Sequence, residues 1–253
     1  MNKQNVTDTN SPLTPKDLVT GSIRLVSLPE VCLRVNEMLD DPSVTAIELG
    51  QVISQDTSLT ARLLKIVNSS YYGFQSKIET VSRAVTVVGL RELRGLVIAA
   101  SAVEAFSNVP DDVLNKVRFW RHSLYCGVIA RLLAEQCHVL HSERLFVAGL
   151  LHDIGKLVIA QRFPDETKMI RLETESKQRP EYKIEQDFLG FTHSEVGGEL
   201  MKSWNMPETL FESVAYHHSP KHAETGVMET CLIHIANILT DEAEQGLDMK
   251  TDS

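Results

Sequence analysis

The sequence lacks the long apolar segments that cross a membrane or direct secretion. The chain has 253 residues, and in its most apolar region the longest stretch without a charge runs only from Gly95 to Val103. A membrane span needs about 20 apolar residues. The polar residues 1–16 contain no apolar core of a signal peptide. We therefore expect a cytoplasmic protein with no membrane partner and a flexible N-terminus over residues 1–17.

Paired cysteines and an excess of basic charge are also missing. The four cysteines are scattered, without a CxxC pair, which is typical of free thiols in a reducing compartment. There are 25 Lys and Arg against 34 Asp and Glu, a net charge of −9. Broad binding to nucleic acid or to an anionic membrane depends on clustered basic residues. Both functions are therefore disfavoured, and no spacing indicates a helix-turn-helix reader of DNA.

Apolar residues recur at helical spacing along almost the whole chain, and no stretch alternates with period two. This pattern predicts an all-α fold. A turn-forming segment at 108–111 is the expected boundary between an N-terminal helical subdomain, 18–108, and a second helical subdomain, 109–240. Residues 241–253 are expected to form a flexible acidic tail.

Two capping boxes predict where helices begin. Thr45 is followed three residues later by Glu48, and Thr192 by Glu195. In such a pair the hydroxyl and the carboxylate each bind a backbone N–H of the first turn. The second box places His193 at the first position of its helix.

The remaining helix boundaries in the second half are predicted from periodicity and turn residues. Helices are expected over about 112–137, from 142 through the region of His152, and over about 227–240. Pro207 is expected at the first position of a helix. The highly charged stretch 164–186 is interpreted as a solvated helical face or a mobile excursion.

Histidine is confined to the second half, where all nine histidines lie at or after His122. They are either ordinary surface histidines or part of a metal or acid–base site, because imidazoles and carboxylates supply both. Six residues on or at the ends of predicted helices are candidate metal ligands: His122, His152, Asp153, His193, His217 and His218.

The segment around Asp153 favours the metal site. Asp153 follows an apolar helical run that should be buried, and a buried carboxylate needs a cation or a cluster of imidazoles as its partner. Adjacent helical residues point about 100° apart, so the ligands besides His152 and Asp153 must come from other helices. Gly155 leaves room for a close backbone approach, and Lys156 adds a cation for a phosphate. Mixed imidazole and carboxylate ligands suit Fe, Mn or Zn.

A second candidate surface lies in the first half, beside Asn68 and Tyr72. Several basic residues recur near them: Arg62, Lys65, Arg83, Arg91 and Arg94. These residues form either solvated basic faces around a capped helix end or a surface for a partner protein or an anionic ligand.

The order of the candidate ligands resembles the HD superfamily of metal-dependent phosphohydrolases. The order is His122, the HDIGK segment at 152–156, His193 and then the pair His217 and His218. Other segments resemble the HDOD domain, the HD-related output domain of bacterial signalling proteins. These segments are 27–30, 53–73, 84–90, 119–123 and 193–207. The resemblance covers roughly residues 18–240.

The resemblance implies an N-terminal helical bundle packed on an HD-like helical core. It also implies a regulatory, signal-transduction role with protein partners, in which catalysis is usually undemonstrated or lost. The chain is expected to act as a stand-alone module.

Departures from active HD enzymes bear on catalysis. Catalytic members complete the metal site with an aspartate on a late helix, where this sequence has Asn237. Asparagine is a neutral and weaker ligand. The HD-GYP phosphodiesterases carry a glutamate one turn before the first histidine and Gly-Tyr-Pro after the histidine pair. Here those positions hold Arg118 and the residues 219–222, so an HD-GYP type of activity is not expected.

Three functions from different classes remain open. The first is a non-enzymatic signalling or scaffold module whose HD-like core holds a metal or is purely structural. The second is a metal-dependent phosphohydrolase acting on a nucleotide or cyclic nucleotide, in which Asp153 orients the metals and Lys156 neutralises phosphate charge. The third is a sensor in which binding of a metal or ligand shifts the packing of the two halves.

Overall fold

The computed structural model describes residues 13–21, 30–39, 41, 43–69, 72–140, 142–177 and 179–251. Within these ranges all regular structure is helical, which confirms the predicted all-α class. The helices, numbered here in chain order, are α1 Pro15–Gly21, α2 Glu30–Leu39, α3 Ala46–Ile53, α4 Thr57–Val67, α5 Val81–Val88, α6 Leu90–Ala105, α7 Lys116–Gln136, α8 Glu143–Leu151, α9 Ile154–Arg162, α10 Pro164–Lys177, α11 Glu181–Leu189, α12 His193–Ser203, α13 Glu208–Ala215 and α14 Val227–Thr251. A 3-10 turn spans Pro220–His222. In the part of the chain that the structure describes, no helix has the length and apolarity of a membrane span.

The predicted capping signals operate in the structure. Both capping boxes form, with the Thr45 and Thr192 side chains each accepting a backbone N–H three residues ahead. His193 accordingly opens α12, as predicted. Gly89 separates α5 from α6 in a conformation with φ of +92°, which glycine adopts without the steric cost of a side chain.

The two halves share one apolar core. In the first half, α3 packs on α5 and α4 on α6; across the boundary, α6 packs on α8 and α1 on α12. One cluster of buried side chains continues from Leu18 in α1 through Leu96 in α6 to Val214 in α13. The flexible N-terminus was expected to extend to residue 17, but α1 already begins at Pro15 because Leu18 is held in this core. Residues 1–12, expected to be part of the flexible N-terminus, and residues 27–29, in one of the segments that carry the family resemblance, lie outside the described ranges.

The second half is organised by α7, which packs against α8 and α14. The backbones of α7 and α8 touch at two glycines, because a Cβ placed on Gly149 would lie 2.6 Å from the Cα of Gly127. His122 lies five residues before Gly127, and His152 three residues after Gly149. The contact between the glycines therefore sets the spacing between two helices that carry candidate ligands.

Several predicted helix boundaries are wrong. Asn115 caps α7, so the helix begins after it rather than at residue 112. Pro207 is the residue before α13 rather than its first residue. The largest difference concerns α14, which continues from the expected end near Thr240 to Thr251. Glu244, in the expected flexible tail, is buried.

Candidate metal centre

The six predicted ligands converge in the second half, on or at the ends of five helices: α7, α8, α9, α12 and α13. The helix expected to continue through His152 ends there, and Asp153 is the cap of the next helix, α9. His152 and Asp153 therefore project from a joint between two helices. The other four ligands are His122 in α7, His193 at the first position of α12, and His217 and His218 just after α13.

Asp153 lies at the middle of the cluster and is buried. Its Oδ1 atom lies 3.1 Å from His193 Nε2, 3.4 Å from His152 Nε2 and 3.6 Å from His217 Nε2. Its Oδ2 atom lies 3.9 Å from His122 Nε2. One carboxylate is thus surrounded by imidazole nitrogens from four different positions in the chain.

The ligand atoms form two groups of three, within each of which all atoms lie within 4.8 Å of one another. One group contains His122, His152 and Asp153, and the other contains His193, His217 and His218. Because Asp153 Oδ1 also approaches His193, the carboxylate stands between the groups. Either group has the composition of a transition-metal site.

Backbone carbonyls orient two of the imidazoles toward this centre. His152 Nδ1 donates to the Gly149 carbonyl at 2.7 Å, and His217 Nδ1 donates to the Val214 carbonyl at 2.7 Å. Each bond places the proton on Nδ1 and leaves the Nε2 lone pair facing the cluster, which is the tautomer that binds a metal.

Three buried atoms at the centre lack a partner with hydrogen-bonding geometry among the described residues. They are His152 Nε2, His217 Nε2 and Asp153 Oδ1. An unsatisfied buried polar atom costs roughly 1–3 kcal/mol, so the two imidazole nitrogens need an explanation, while Asp153 Oδ1 has the ionic contact with His193 at 3.1 Å. A metal ion bound by all three would satisfy them, and the residues present therefore fit a metal.

Two glutamates hold the remaining histidines. Glu185 Oε2 accepts bonds from both the backbone N–H and the ring Nδ1 of His193, each at 2.7 Å. Glu244 Oε2 lies 3.2 Å from His122 Nδ1, and its other oxygen accepts a bond from Arg121. A carboxylate on the far nitrogen of a histidine fixes the ring and strengthens it as a metal ligand.

Burial keeps three imidazoles neutral. It lowers the pKa of His152 to about 4, against the opposing effect of Asp153. Burial also lowers the pKa values of His217 and His218, and the imidazoles beside each of them lower these values further. Neutral imidazole is the form that binds a metal.

His193 and Asp153 are charged. Burial lowers the pKa of His193, but Glu185 and then Asp153 more than offset this and raise it to about 9. Burial raises the pKa of Asp153, yet His152, Lys156 and His193 together hold it well below its usual range. Binding of a metal to His193 at neutral pH would thus release a proton.

Lys156 is held between two carboxylates. Its Nζ lies 2.8 Å from Asp153 Oδ2 and 2.9 Å from Glu181 Oε2. Burial lowers the pKa of Lys156, but the two carboxylates raise it well above its usual value. Next to Glu181, the Tyr182 ring stacks on His218 with centroids 4.2 Å apart. The ammonium that was expected to meet a phosphate is therefore already paired.

Asn237 faces the centre from α14. Its Oδ1 lies 3.0 Å from His122 Nε2, and the residue is buried. The resemblance to HD enzymes implies an aspartate at this position. Here the residue is Asn237, which places an amide beside His122.

Gly155 confirms the expected close approach of backbones. A Cβ on this residue would lie 1.9 Å from the carbonyl oxygen of His193 and 2.7 Å from the N of Gly197. The missing side chain allows the start of α12 to pack against α9, which brings His193 to Asp153.

Four residues around the cluster were not among the predicted site residues: Glu181, Tyr182, Glu185 and Glu244. The first three lie on α11, in or next to the charged stretch interpreted as a solvated face, and Glu185 is in fact buried. The sequence feature that could have indicated these residues is the acidic composition of their segments, which lie beside a histidine-rich region.

In the first half, the structure gives the singled-out residues structural partners. Arg62 forms an ion pair with Glu104. Asn68 exchanges two hydrogen bonds with the backbone of Ile78 and so fastens the loop after α4. These contacts favour the interpretation as a capped helix end over a ligand surface for these two residues.

The sequence profile of the HDOD domain matches residues 25–220. The chain belongs to the HDOD domain family. This match confirms the resemblance to the HDOD domain.

One curated relative of this HDOD protein is a longer chain. A curated protein of Treponema pallidum (strain Nichols), uncharacterized, is 28% identical over 201 residues, which cover 78% of this chain and 38% of that protein. The HDOD chain thus spans well under half of that relative's length.

Solved structures share the fold. An HDOD domain protein of unknown function from Geobacter sulfurreducens has a TM-score of 0.70 at 27% identity, covering 87% of this chain and 78% of the other. A candidate phosphohydrolase from Shewanella amazonensis SB2B has a TM-score of 0.76 at 25% identity, covering 90% and 81%.

Proposed function

We propose that this HDOD protein is a non-catalytic signalling module whose HD-like half binds a transition metal. The observation that carries the proposal is the pair of buried, unpartnered imidazole nitrogens at the centre, His152 Nε2 and His217 Nε2, which both face the Asp153 carboxylate. Membership of the HDOD family supports the signalling role and interaction with protein partners.

Six residues would hold the metal: His122, His152, Asp153, His193, His217 and His218. Their imidazole and carboxylate atoms suit Fe, Mn or Zn. A metal bound here would link α7, the joint before α9, α12 and the end of α13, so its binding energy would add to the stability of the folded state.

The surroundings of the site favour a structural or regulatory metal over a catalytic one. A metal in a phosphohydrolase supplies Lewis-acid activation of the phosphate and of water, and the substrate must reach it. Here the central Asp153 is 3% exposed, and the Tyr182 ring covers His218. The Lys156 ammonium forms ion pairs with Asp153 and Glu181, so it offers no free cation to a phosphate.

Elemental analysis tests the metal. Protein prepared without oxygen and reconstituted with Fe²⁺, Mn²⁺ or Zn²⁺ should retain a stoichiometric amount of one of them. The double variant His152→Ala, Asp153→Ala should retain none, while its circular dichroism shows that the helices remain. Wild-type protein that never retains stoichiometric metal would contradict the proposal.

A phosphohydrolase is the second candidate. It is favoured by the likeness to the candidate phosphohydrolase of Shewanella amazonensis and by the complete set of six ligands. The metal-loaded protein should be screened against nucleotides, cyclic mononucleotides and cyclic dinucleotides. Turnover that is lost in the double variant would replace the non-catalytic proposal by this one, with Lys156 and Asp153 as the catalytic residues to test next.

A further inference from the structure

A cavity of about 320 Å³ lies at the junction of the two halves. None of the six candidate metal ligands lines it. Its apolar wall comes from the end of α2, the first half of α8, the segment before α13 and the start of α13: Leu39, Leu145, Val147, Met206 and Leu210. The volume lies at the lower end of the range of about 300–1,000 Å³ that is usual for small-molecule sites.

The beginnings of four helices surround this cavity. Residues from the first two turns of α6, α8, α13 and α14 line it. The cap positions of α6, α8 and α13 are Gly89, Ser142 and Pro207, and none of them makes a side-chain capping bond. Helix beginnings carry unsatisfied N–H groups and a partial positive charge, and in α6 and α14 the first-turn carboxylates Glu92 and Glu229 offset that charge.

The lining holds two carboxylates and two guanidinium groups, from Glu92, Glu229, Arg94 and Arg144. Glu92 and Glu229 each lie in the first turn of their own helix, where the helix dipole stabilises a carboxylate. Glu92 also accepts a bond from the Tyr72 hydroxyl. Arg144 lies in the first turn of α8, where the dipole opposes its charge, and it has no ion-pair partner within the described ranges.

We propose that this cavity binds a small amphipathic organic anion. Its apolar body would occupy the space between Leu145 and Leu210, and its anionic group would meet Arg144, with Arg94 as a second guanidinium in the lining. Because the wall combines α2 and α6 of the first half with α8, α13 and α14 of the second, such a ligand would contact both halves. The proposal stands whether or not the metal site is occupied.

Two fluorescent dyes of nearly the same shape test the site. 1-Anilinonaphthalene-8-sulfonate carries an anionic group, and N-phenyl-1-naphthylamine is its uncharged analogue. The wild-type protein should bind both with one site per chain. Arg144→Gln should weaken binding of the sulfonate dye about tenfold, the scale of one charged hydrogen bond, and should change binding of the neutral dye less than about twofold.

A filling variant and a control complete the test. Thr209→Trp places a large ring in the half-buried lining of the cavity and should abolish binding of both dyes. Arg179→Gln removes an exposed arginine that pairs with Asp187 and does not line the cavity, so it should leave both affinities unchanged. The proposal is overturned if the sulfonate dye does not bind, or if Arg144→Gln weakens both dyes equally or neither. Should Thr209→Trp fail to fold, the Arg144→Gln comparison still decides.

Discussion

The Glu185 carboxylate accepts two hydrogen bonds from one residue, His193, through its backbone N–H and its ring Nδ1. A single side chain thereby fastens the first turn of α12 and orients the imidazole toward Asp153. It also makes the charge of His193 depend on Glu185, which has a measurable consequence for stability.

The stability of the metal-free protein should fall as the pH rises above 6.5. The pKa of His193 is about 9 in the folded protein, against about 6.5 in an unfolded chain. The stability from this pair is therefore fully present below pH 6.5 and is lost as the pH rises through 9. We expect a loss on the order of 3 kcal/mol, measured by urea denaturation with a chelator between pH 6.5 and 9.5.

Glu185→Gln is the matched variant for this measurement. The amide keeps the shape of the side chain but removes the charge that raises the pKa of His193, so the slope above pH 6.5 should largely disappear. Below pH 6.5 the variant and the wild type should lose stability alike, because the pKa of His152 is lowered to about 4 and its neutral folded form is favoured only above 6.5. If stability falls above pH 6.5 as steeply in Glu185→Gln as in the wild type, the pH dependence does not come from the pair of His193 and Glu185.

Asn237→Asp should strengthen metal binding. The substitution places a negative charge at the position whose oxygen lies 3.0 Å from His122 Nε2. We expect an increase in affinity of about tenfold or more, the scale of one charged interaction in a partly buried site. Competition with a chromogenic chelator measures it, and Asn237→Leu serves as the control of similar size, with no gain. Equal affinities of wild type and Asn237→Asp would show that this position does not face the metal.

Glu244→Gln should weaken both the fold and the site. Glu244 is buried and contacts Arg121 and His122, so loss of its charge should cost about 1–3 kcal/mol and about tenfold in metal affinity. Urea denaturation and chelator competition measure the two effects. Asp241→Asn is the control, because its exposed side chain lies 3.8 Å from the same ring nitrogen of His122. If Glu244→Gln and Asp241→Asn lower the stability and the metal affinity equally, the buried contact of Glu244 does not explain the losses.

Gly155→Ala should destabilise the protein by about 3 kcal/mol or more. The new methyl group would meet backbone atoms of His193 and Gly197, which cannot move aside as a flexible side chain would. Thermal unfolding measures the loss. Gly190→Ala is the control, since space is open around Gly190 and only its φ of +81° opposes a side chain, at a cost of about 1 kcal/mol. A Gly155→Ala protein as stable as Gly190→Ala would show that α9 and α12 are less closely packed.

The sequence predicted the fold class and the inner part of the candidate site for physical reasons. Helical periodicity is a local property, and both capping boxes act within four residues, so they could be read without knowing the fold. The six candidate ligands could be named because they lie in short motifs at fixed places in the helix order. The same helix order brings the six ligands together around Asp153 in the structure.

The outer carboxylates could not be predicted, because their burial depends on tertiary contacts between charged groups. Glu185 lies in a polar stretch and becomes buried only because α11 turns back at Gly190 toward α12. Glu244 lies where the apolar periodicity of α14 fades, and its contacts are with Arg121 and His122 rather than with apolar side chains. Composition favours a solvent-exposed position for both residues.

The contact between Gly127 and Gly149 has a consequence for how the protein tolerates mutation. The spacing between the helices that carry His122 and His152 is determined by main chain against main chain, not by the volume of interlocking aliphatic side chains. Substitutions that repack the surrounding core can therefore accumulate and change thermal resistance while the distance between these two histidines stays constant. If the proposed metal binds there, its preference among metals should respond more to changes at Gly127 and Gly149 than to changes elsewhere in the core.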